Sequence, residues 1–91
     1  MQGLDKCQSL LRSLISRGDP GAIRLAESAI DDTLQVTPER ARLIVLRVLQ
    51  QDALDQHGAA VGVQRSFAET VDAYIARKLA EEKGAVNRAL S

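Results

Sequence analysis

Aromatic side chains are almost missing from this sequence of 91 residues, which contains one phenylalanine, one tyrosine and no tryptophan. Apolar residues nevertheless make up 45% of the chain, so a hydrophobic core must be built from leucine, valine, isoleucine and alanine. Leucine and alanine are strong helix formers, and only six glycines and two prolines interrupt the chain. The composition therefore favours a helical bundle with an aliphatic core.

Cysteine and histidine are equally scarce, with one of each. Cys7 cannot form an internal disulfide, and one thiol with one imidazole does not supply the converging ligands of a metal site. We interpret Cys7 as a buried structural thiol and His57 as a cation that complements a helix dipole. The carboxylates of Asp52 and Asp55 are interpreted as a solvated face. We therefore predict no catalytic, cofactor-binding or metal-binding residue, no cofactor and no enzymatic activity.

An excess of either charge is also absent, because twelve basic and twelve acidic residues balance to a net charge of zero. Nucleic-acid-binding domains usually carry a basic patch, so we do not expect a nucleic acid as the partner. The N-terminal region contains no apolar run long enough for a signal peptide or a membrane span. We expect a cytoplasmic protein with no membrane partner and no small-molecule substrate.

Helical periodicity and helix-boundary residues predict the first three helices. Apolar residues recur at helical spacing over Leu4–Arg17, and Gly18 ends this segment. Asp19 and Pro20 then fit the cap and first residue of a second helix. A third helix is predicted from Pro38 to about Gln56, with Thr37 as its N-terminal cap.

The last third of the chain begins with an apolar, glycine-containing segment, Gly58–Val63, which we predict to be a loop packed on the bundle. Ser66 and Glu69 have the spacing of a capping box at the start of a fourth helix. This helix is expected to end near Lys83, where Gly84 breaks it. The following residues, 85–90, could form a short fifth helix.

The third predicted helix is apolar on almost every side between Ala41 and Leu49, and a helix of this kind is normally buried. We therefore predict an all-α fold in one domain, residues 1–91. The fold is a small bundle of four main helices around a central apolar helix, with a short fifth helix allowed at the C-terminus.

The few polar positions of this helix share one stripe with Ile44, and they are Arg40, Arg47, Gln51 and Asp55. Arginine is enriched at the energetic centres of protein interfaces. Three short neighbouring helices would have difficulty covering so apolar a helix, which favours a second copy or a partner protein. The alternative is a monomer with Ile44 at the margin of its core. The predicted partner-binding residues are Arg40, Ile44, Arg47, Gln51, Val61 and Val63.

These features predict a small regulatory or interaction protein that binds another protein, as an inhibitor, anti-activator or chaperone does, and that forms a homodimer. An alternative is a helix-turn-helix DNA-binding regulator that uses residues 58–80. In this alternative, Gly62 lies in the turn and the helix from Phe67 enters the major groove. The carboxylates of Glu69 and Asp72 near the start of that helix oppose this interpretation, because they would face the phosphates.

Overall fold

A computed structural model of the chain describes the backbone of residues 2–90 and the side chains of residues 3–84. The described residues contain four α-helices, which are α1 (Gln2–Arg17), α2 (Ala22–Val36), α3 (Arg42–Ala59) and α4 (Val63–Leu90). A short 3-10 turn, Glu39–Ala41, precedes α3. No strand occurs among the described residues, which confirms the predicted all-α fold. Within the same residues, no helix is both long enough and apolar enough to cross a membrane.

The hydrophobic core lies where the four helices meet, with α1 and α4 each packing against all three other helices. Phe67 and Tyr74 of α4 and Cys7 of α1 are buried in it, and the other core residues are aliphatic, as the composition predicts. Removing one large aliphatic side chain from water contributes about 1.5–3 kcal/mol. The largest fully buried side chains are Leu11, Leu14, Ile15, Ile30, Val45, Leu46, Leu49 and Ile75.

The predicted central apolar helix is not central, because α3 buries only one of its faces. Val45, Leu46 and Leu49 point into the core and are fully buried, whereas Ile44 is 64% exposed. α3 packs against α1 and α4 and turns its opposite face to solvent. The sequence predicted that all faces of this helix are buried, because apolar residues such as Ile44 and Leu54 also occupy its outer face.

The corner between α1 and α2 is wider than predicted. Gly18 ends α1 as expected, with φ at +64° and its N–H donating to the Leu14 carbonyl at 3.1 Å. α2 begins only at Ala22, whose N–H donates to the Asp19 carbonyl at 2.9 Å. The Asp19 carboxylate does not cap α2, since it pairs with Arg17 at 2.7 Å.

Thr37 also serves a different helix end from the one predicted. Its hydroxyl donates to the carbonyl of Thr33, one turn back in α2, at 2.5 Å. Thr37 is buried and follows α2 in an extended conformation. Glu39–Ala41 then form the 3-10 turn, so α3 begins at Arg42, four residues later than Pro38.

Half of the predicted loop between α3 and α4, Gly58–Val63, is helical. α3 continues through Gly58 to Ala59, and only residues 60–62 separate it from α4. Ser66 does not form the predicted capping box with Glu69, because it lies inside α4 and its N–H donates to the Gly62 carbonyl at 3.2 Å. Gly62, with φ at +61°, provides the sharp turn that makes this short connection possible.

Gly84 does not end α4, which runs without interruption to Leu90. A glycine in a helix interior costs only about 0.5–1 kcal/mol relative to alanine, which an otherwise favourable helix tolerates. The predicted fifth helix over residues 85–90 is therefore the end of α4, and Ser91 lies outside the described residues.

The first prediction concerns Gly18, whose backbone has the left-handed conformation that non-glycine residues rarely adopt. A Cβ atom added there would also lie 3.3 Å from Cγ of Gln64. Gly18→Ala should lower the free energy of unfolding by about 1–2 kcal/mol, the cost of that conformation for a non-glycine residue. Denaturant unfolding with an unchanged m value measures the difference.

Gly62→Ala is the matched control, since Gly62 has a similar φ but open space around its Cβ position. Gly62→Ala should lower the free energy of unfolding by no more than Gly18→Ala does. Gly21→Ala should lower it least, because Gly21 has a φ of −73°. Wild-type stability in Gly18→Ala would contradict the turn described here.

Candidate partner-binding surface

The outer face of α3 carries a regular row of exposed residues. Successive helical residues point about 100° apart, so positions three and four residues apart share a face. Burial of Val45, Leu46 and Leu49 turns this row away from the core. We call the row the α3 seam. It begins with Arg40, in the 3-10 turn that leads into α3, and continues along α3 with Ile44, Arg47, Gln51, Leu54 and Gly58, all of them exposed.

The α3 seam contains four of the six predicted partner-binding residues: Arg40, Ile44, Arg47 and Gln51. The other two, Val61 and Val63, are also exposed and lie at the turn between α3 and α4. The structure therefore brings the first four together on one face and places the two valines beyond its end. The valines do not pack on the bundle as the loop prediction implied; Ala60 is the residue of that turn that is buried.

Leu54 belongs to the α3 seam but is not among the partner-binding residues predicted from the sequence. It is 46% exposed and lies three residues after Gln51 and seven after Arg47. The same spacing that identified Ile44 as part of a stripe would have identified Leu54. The fifth member of the predicted stripe, Asp55, is exposed beside it and accepts a hydrogen bond from the Gln51 side chain at 3.1 Å.

The charges of this face are separated along the helix. Arg40 lies in the 3-10 turn before α3, Arg47 in the N-terminal half of α3, and Asp55 toward its C-terminal end. Among the described side chains, neither arginine forms an ion pair within 4.0 Å. The face thus combines two available guanidinium groups with the apolar side chains of Ile44 and Leu54, a composition that suits protein recognition.

An open groove of about 330 Å³ lies between α2 and α4 and is also lined by Arg42 of α3, and most of its charged side chains pair with one another. Lys78 Nζ lies 3.7 Å from Asp31 Oδ1, and Arg42 lies 3.6 Å from Glu82. Tyr74 donates its hydroxyl to Asp31 at 2.7 Å. Burial, followed by this hydrogen bond, raises the pKa of Tyr74. These contacts hold α4 against α2 and α3. The groove is lined by three carboxylates and two cations, so one negative charge is unbalanced: Asp31, Glu81 and Glu82 against Arg42 and Lys78.

The interior contains one carboxylate that the sequence did not place there. We predicted a solvated face for Asp52 and Asp55, but the Asp52 side chain is only 3% exposed. Its Oδ1 accepts from Nε of Arg12 at 2.8 Å and lies 2.7 Å from Nη2 of the same residue. The second oxygen, Oδ2, has no hydrogen-bond partner among the described residues. This pair joins α1 to α3.

Cys7 and His57 occupy the positions that the sequence predicts. Cys7 is buried, and its thiol lies 3.7 Å from the Ala29 carbonyl. His57 lies in the last turn of α3, and its Nε2 is buried without a hydrogen-bond partner among the described residues. Residues 3–84 bring together no group of three histidine, cysteine, aspartate or glutamate side chains that could hold a metal ion.

α3 and α4 form an antiparallel hairpin. The turn at residues 60–62 joins them at one end, and the contact of Arg42 with Glu82 links them at the other. A helix-turn-helix unit instead crosses its two helices at about 90–120°. The arrangement of residues 58–80 therefore gives the DNA-binding alternative no geometric support.

Comparisons with protein-family models, curated proteins and solved structures find no match to this chain.

The second prediction concerns Cys7. Burial raises the pKa of its thiol above the ordinary value, while a hydrogen bond with Thr33 partly opposes this change. Because the thiolate is the reactive form, native protein at neutral pH should react with a thiol reagent far more slowly than denatured protein. The raised pKa also means that the contribution of the neutral thiol to stability is complete at neutral pH and is lost as the pH rises through the folded-state pKa.

The measurement is the labelling rate at pH 7, with and without denaturant, followed by mass spectrometry. A Ser16→Cys variant, with a thiol at an exposed position of α1, provides the control for reagent access. Equal labelling rates for Cys7 and the introduced thiol in native protein would contradict the burial of Cys7.

Proposed function

We propose that this chain is a small cytoplasmic regulatory protein without enzymatic activity. It binds another protein, in the manner of an inhibitor, anti-activator or chaperone, and it forms a homodimer. The outer face of α3 is its contact surface. The observation that carries this proposal is the position of Ile44, which is 64% exposed on a helix whose opposite side supplies the core.

The residues around Ile44 support an interface more strongly than the exposure of Ile44 alone would. Single exposed apolar residues are common, but Ile44 shares its face with exposed Leu54 and with two arginines. Apolar side chains with flanking arginines are typical of the centre of a protein interface. Covering this face would remove apolar surface from water, which is favourable in proportion to its area.

The core of the monomer does not depend on this face. Ile44 and Leu54 are outside the buried core, which is complete with the inner residues of α3. A change at Ile44 can therefore separate binding from folding.

The third prediction tests self-association with Ile44→Glu. A carboxylate buried against apolar surface is unfavourable, so the homodimer should dissociate at least about tenfold more readily, the equivalent of about 1.4 kcal/mol. The far-UV circular dichroism spectrum should remain helical, because Ile44 is not a core residue. Sedimentation equilibrium over a concentration series gives the dissociation constants of wild type and variant.

Leu25→Glu is the matched control. Leu25 is 54% exposed and lies on α2, which packs against α1 and α4. This variant should dimerise as wild type does. Equal weakening by both substitutions would indicate a general effect of added negative charge, and unfolding of Ile44→Glu would show that Ile44 belongs to the core.

A second experiment tests the heterologous partner. Wild-type protein and Ile44→Glu, each immobilised, are exposed to an extract of the native host, and captured proteins are identified by mass spectrometry. A protein retained by wild type and by Leu25→Glu but lost with Ile44→Glu is expected. A monomeric wild type that captures nothing through Ile44 would overturn the proposed function.

A further inference from the structure

The spacing of the α3 seam matches that of a helix-pairing surface. Its five residues in α3 follow one another at intervals of three, four, three and four positions, which is the a and d pattern of a coiled-coil heptad, and Arg40 precedes them by four positions in the 3-10 turn. The inner face of α3 already packs on α1 and α4. The seam is thus a second helix-pairing surface, on the side that no element of the described bundle covers.

We propose that the occupant of the α3 seam is a second copy of this chain, docked with its α3 antiparallel to the first. This inference rests on the proposed function and specifies its homodimer. The twofold axis passes level with Leu49. Such an axis places each residue opposite the one that lies equally far on the other side of Leu49, so the same surface serves both copies.

The apolar residues match under this symmetry. Ile44 lies five residues before Leu49 and Leu54 five residues after it. Each Ile44 therefore faces Leu54 of the second copy, and this contact occurs twice. Arg47 and Gln51 lie two residues before and after the axis, so the Arg47 guanidinium faces the acceptor oxygen of the Gln51 amide.

The charges match in the same register. Asp55 lies six residues after Leu49, at a level between Arg40 and Arg47 of the second copy. Three or four residues of helix correspond to about 4.5–6 Å along the axis, a distance that an arginine side chain spans. Each carboxylate thus approaches two guanidinium groups that have no ion partner within the described monomer.

A parallel arrangement is disfavoured by the same residues. It would place Arg40 opposite Arg40, Arg47 opposite Arg47 and Asp55 opposite Asp55. Like charges at facing positions weaken an interface and exclude the wrong pairing. Gly58 also suits the antiparallel register, because the space above it is open and lies opposite Arg40, whose long apolar stem can cover it.

Disulfide cross-linking tests this orientation. In the antiparallel dimer, position 44 of one copy faces position 54 of the other. The two positions 44 lie about 15 Å apart along the helix axis, and so do the two positions 54. Facing Cα atoms of packed helices come within disulfide range. Mixed Ile44→Cys and Leu54→Cys proteins should therefore form a disulfide-linked dimer under mild oxidation, while each variant alone should not. Labelling one variant with ¹⁵N shows by mass that the linked dimer contains both, and wild type controls for Cys7.

A charge exchange provides an independent test. The charged residues of this outer face are Arg40 and Arg47 of the seam and Asp55 beside it. Arg40→Glu/Arg47→Glu makes all three acidic, and Asp55→Arg makes all three basic. Each variant alone should dimerise at least about tenfold more weakly than wild type because like charges then face one another. An equimolar mixture should form a heterodimer of near wild-type affinity, measured by sedimentation velocity with one component fluorescently labelled.

The outcomes separate this inference from the proposed function. Self-linking of either single cysteine variant, or failure of the charge variants to associate when mixed, would overturn the antiparallel register while an Ile44-dependent dimer remained. A wild type that stays monomeric at high concentration would overturn this inference. In that case, an Ile44-dependent heterologous partner would still support the protein-binding function.

Discussion

The arrangement of the bundle depends on α4, which is linked to each of the other three helices by a polar contact as well as by apolar packing. The Gln64 side chain donates to the Ser16 carbonyl at the end of α1. Tyr74 donates to Asp31 of α2, and Glu82 pairs with Arg42 of α3. Since Phe67, Val71 and Ile75 are buried between these points, α4 fixes the position of each neighbour.

This arrangement explains why α3 exposes an apolar surface. α3 receives α1 and α4 on its inner side, and no other helix among the described residues covers its outer side. The ion pair between the exposed Arg12 and the buried Asp52 adds to this constraint. Because Asp52 is nearly inaccessible and accepts from Arg12, rotation of α3 about its axis would leave a buried carboxylate without its partner, which is costly.

The sequence was sufficient for the number of helices and the aliphatic nature of the core, because both follow from periodicity and composition. It was insufficient for the helix ends. Asp19, Thr37 and Ser66 are favourable cap residues, but each is used differently: Asp19 pairs with Arg17, Thr37 donates within α2, and Ser66 lies inside α4. Local cap patterns do not show which competing contact a side chain will make.

The candidate surface was predicted in part for the same physical reasons. Helical spacing placed Arg40, Ile44, Arg47 and Gln51 on one face, and the structure keeps all four exposed. The apolar residues on both sides of the helix concealed which side was buried, and this led to the prediction of a central helix. The burial of Asp52 could not be predicted locally, because its partner Arg12 is forty residues away in the sequence.

The pattern of helix contacts has a consequence for folding kinetics. The most extensive contacts join helices that are consecutive in sequence, α1 with α2 and α3 with α4. Contacts between nearby segments require little loop-closure entropy, and chains dominated by them fold in microseconds to milliseconds. The residues 60–62 that join α3 to α4 therefore favour rapid formation of one hairpin, onto which the other can dock. The α3 seam lies on the outside of that hairpin, so it would be present before the core is complete.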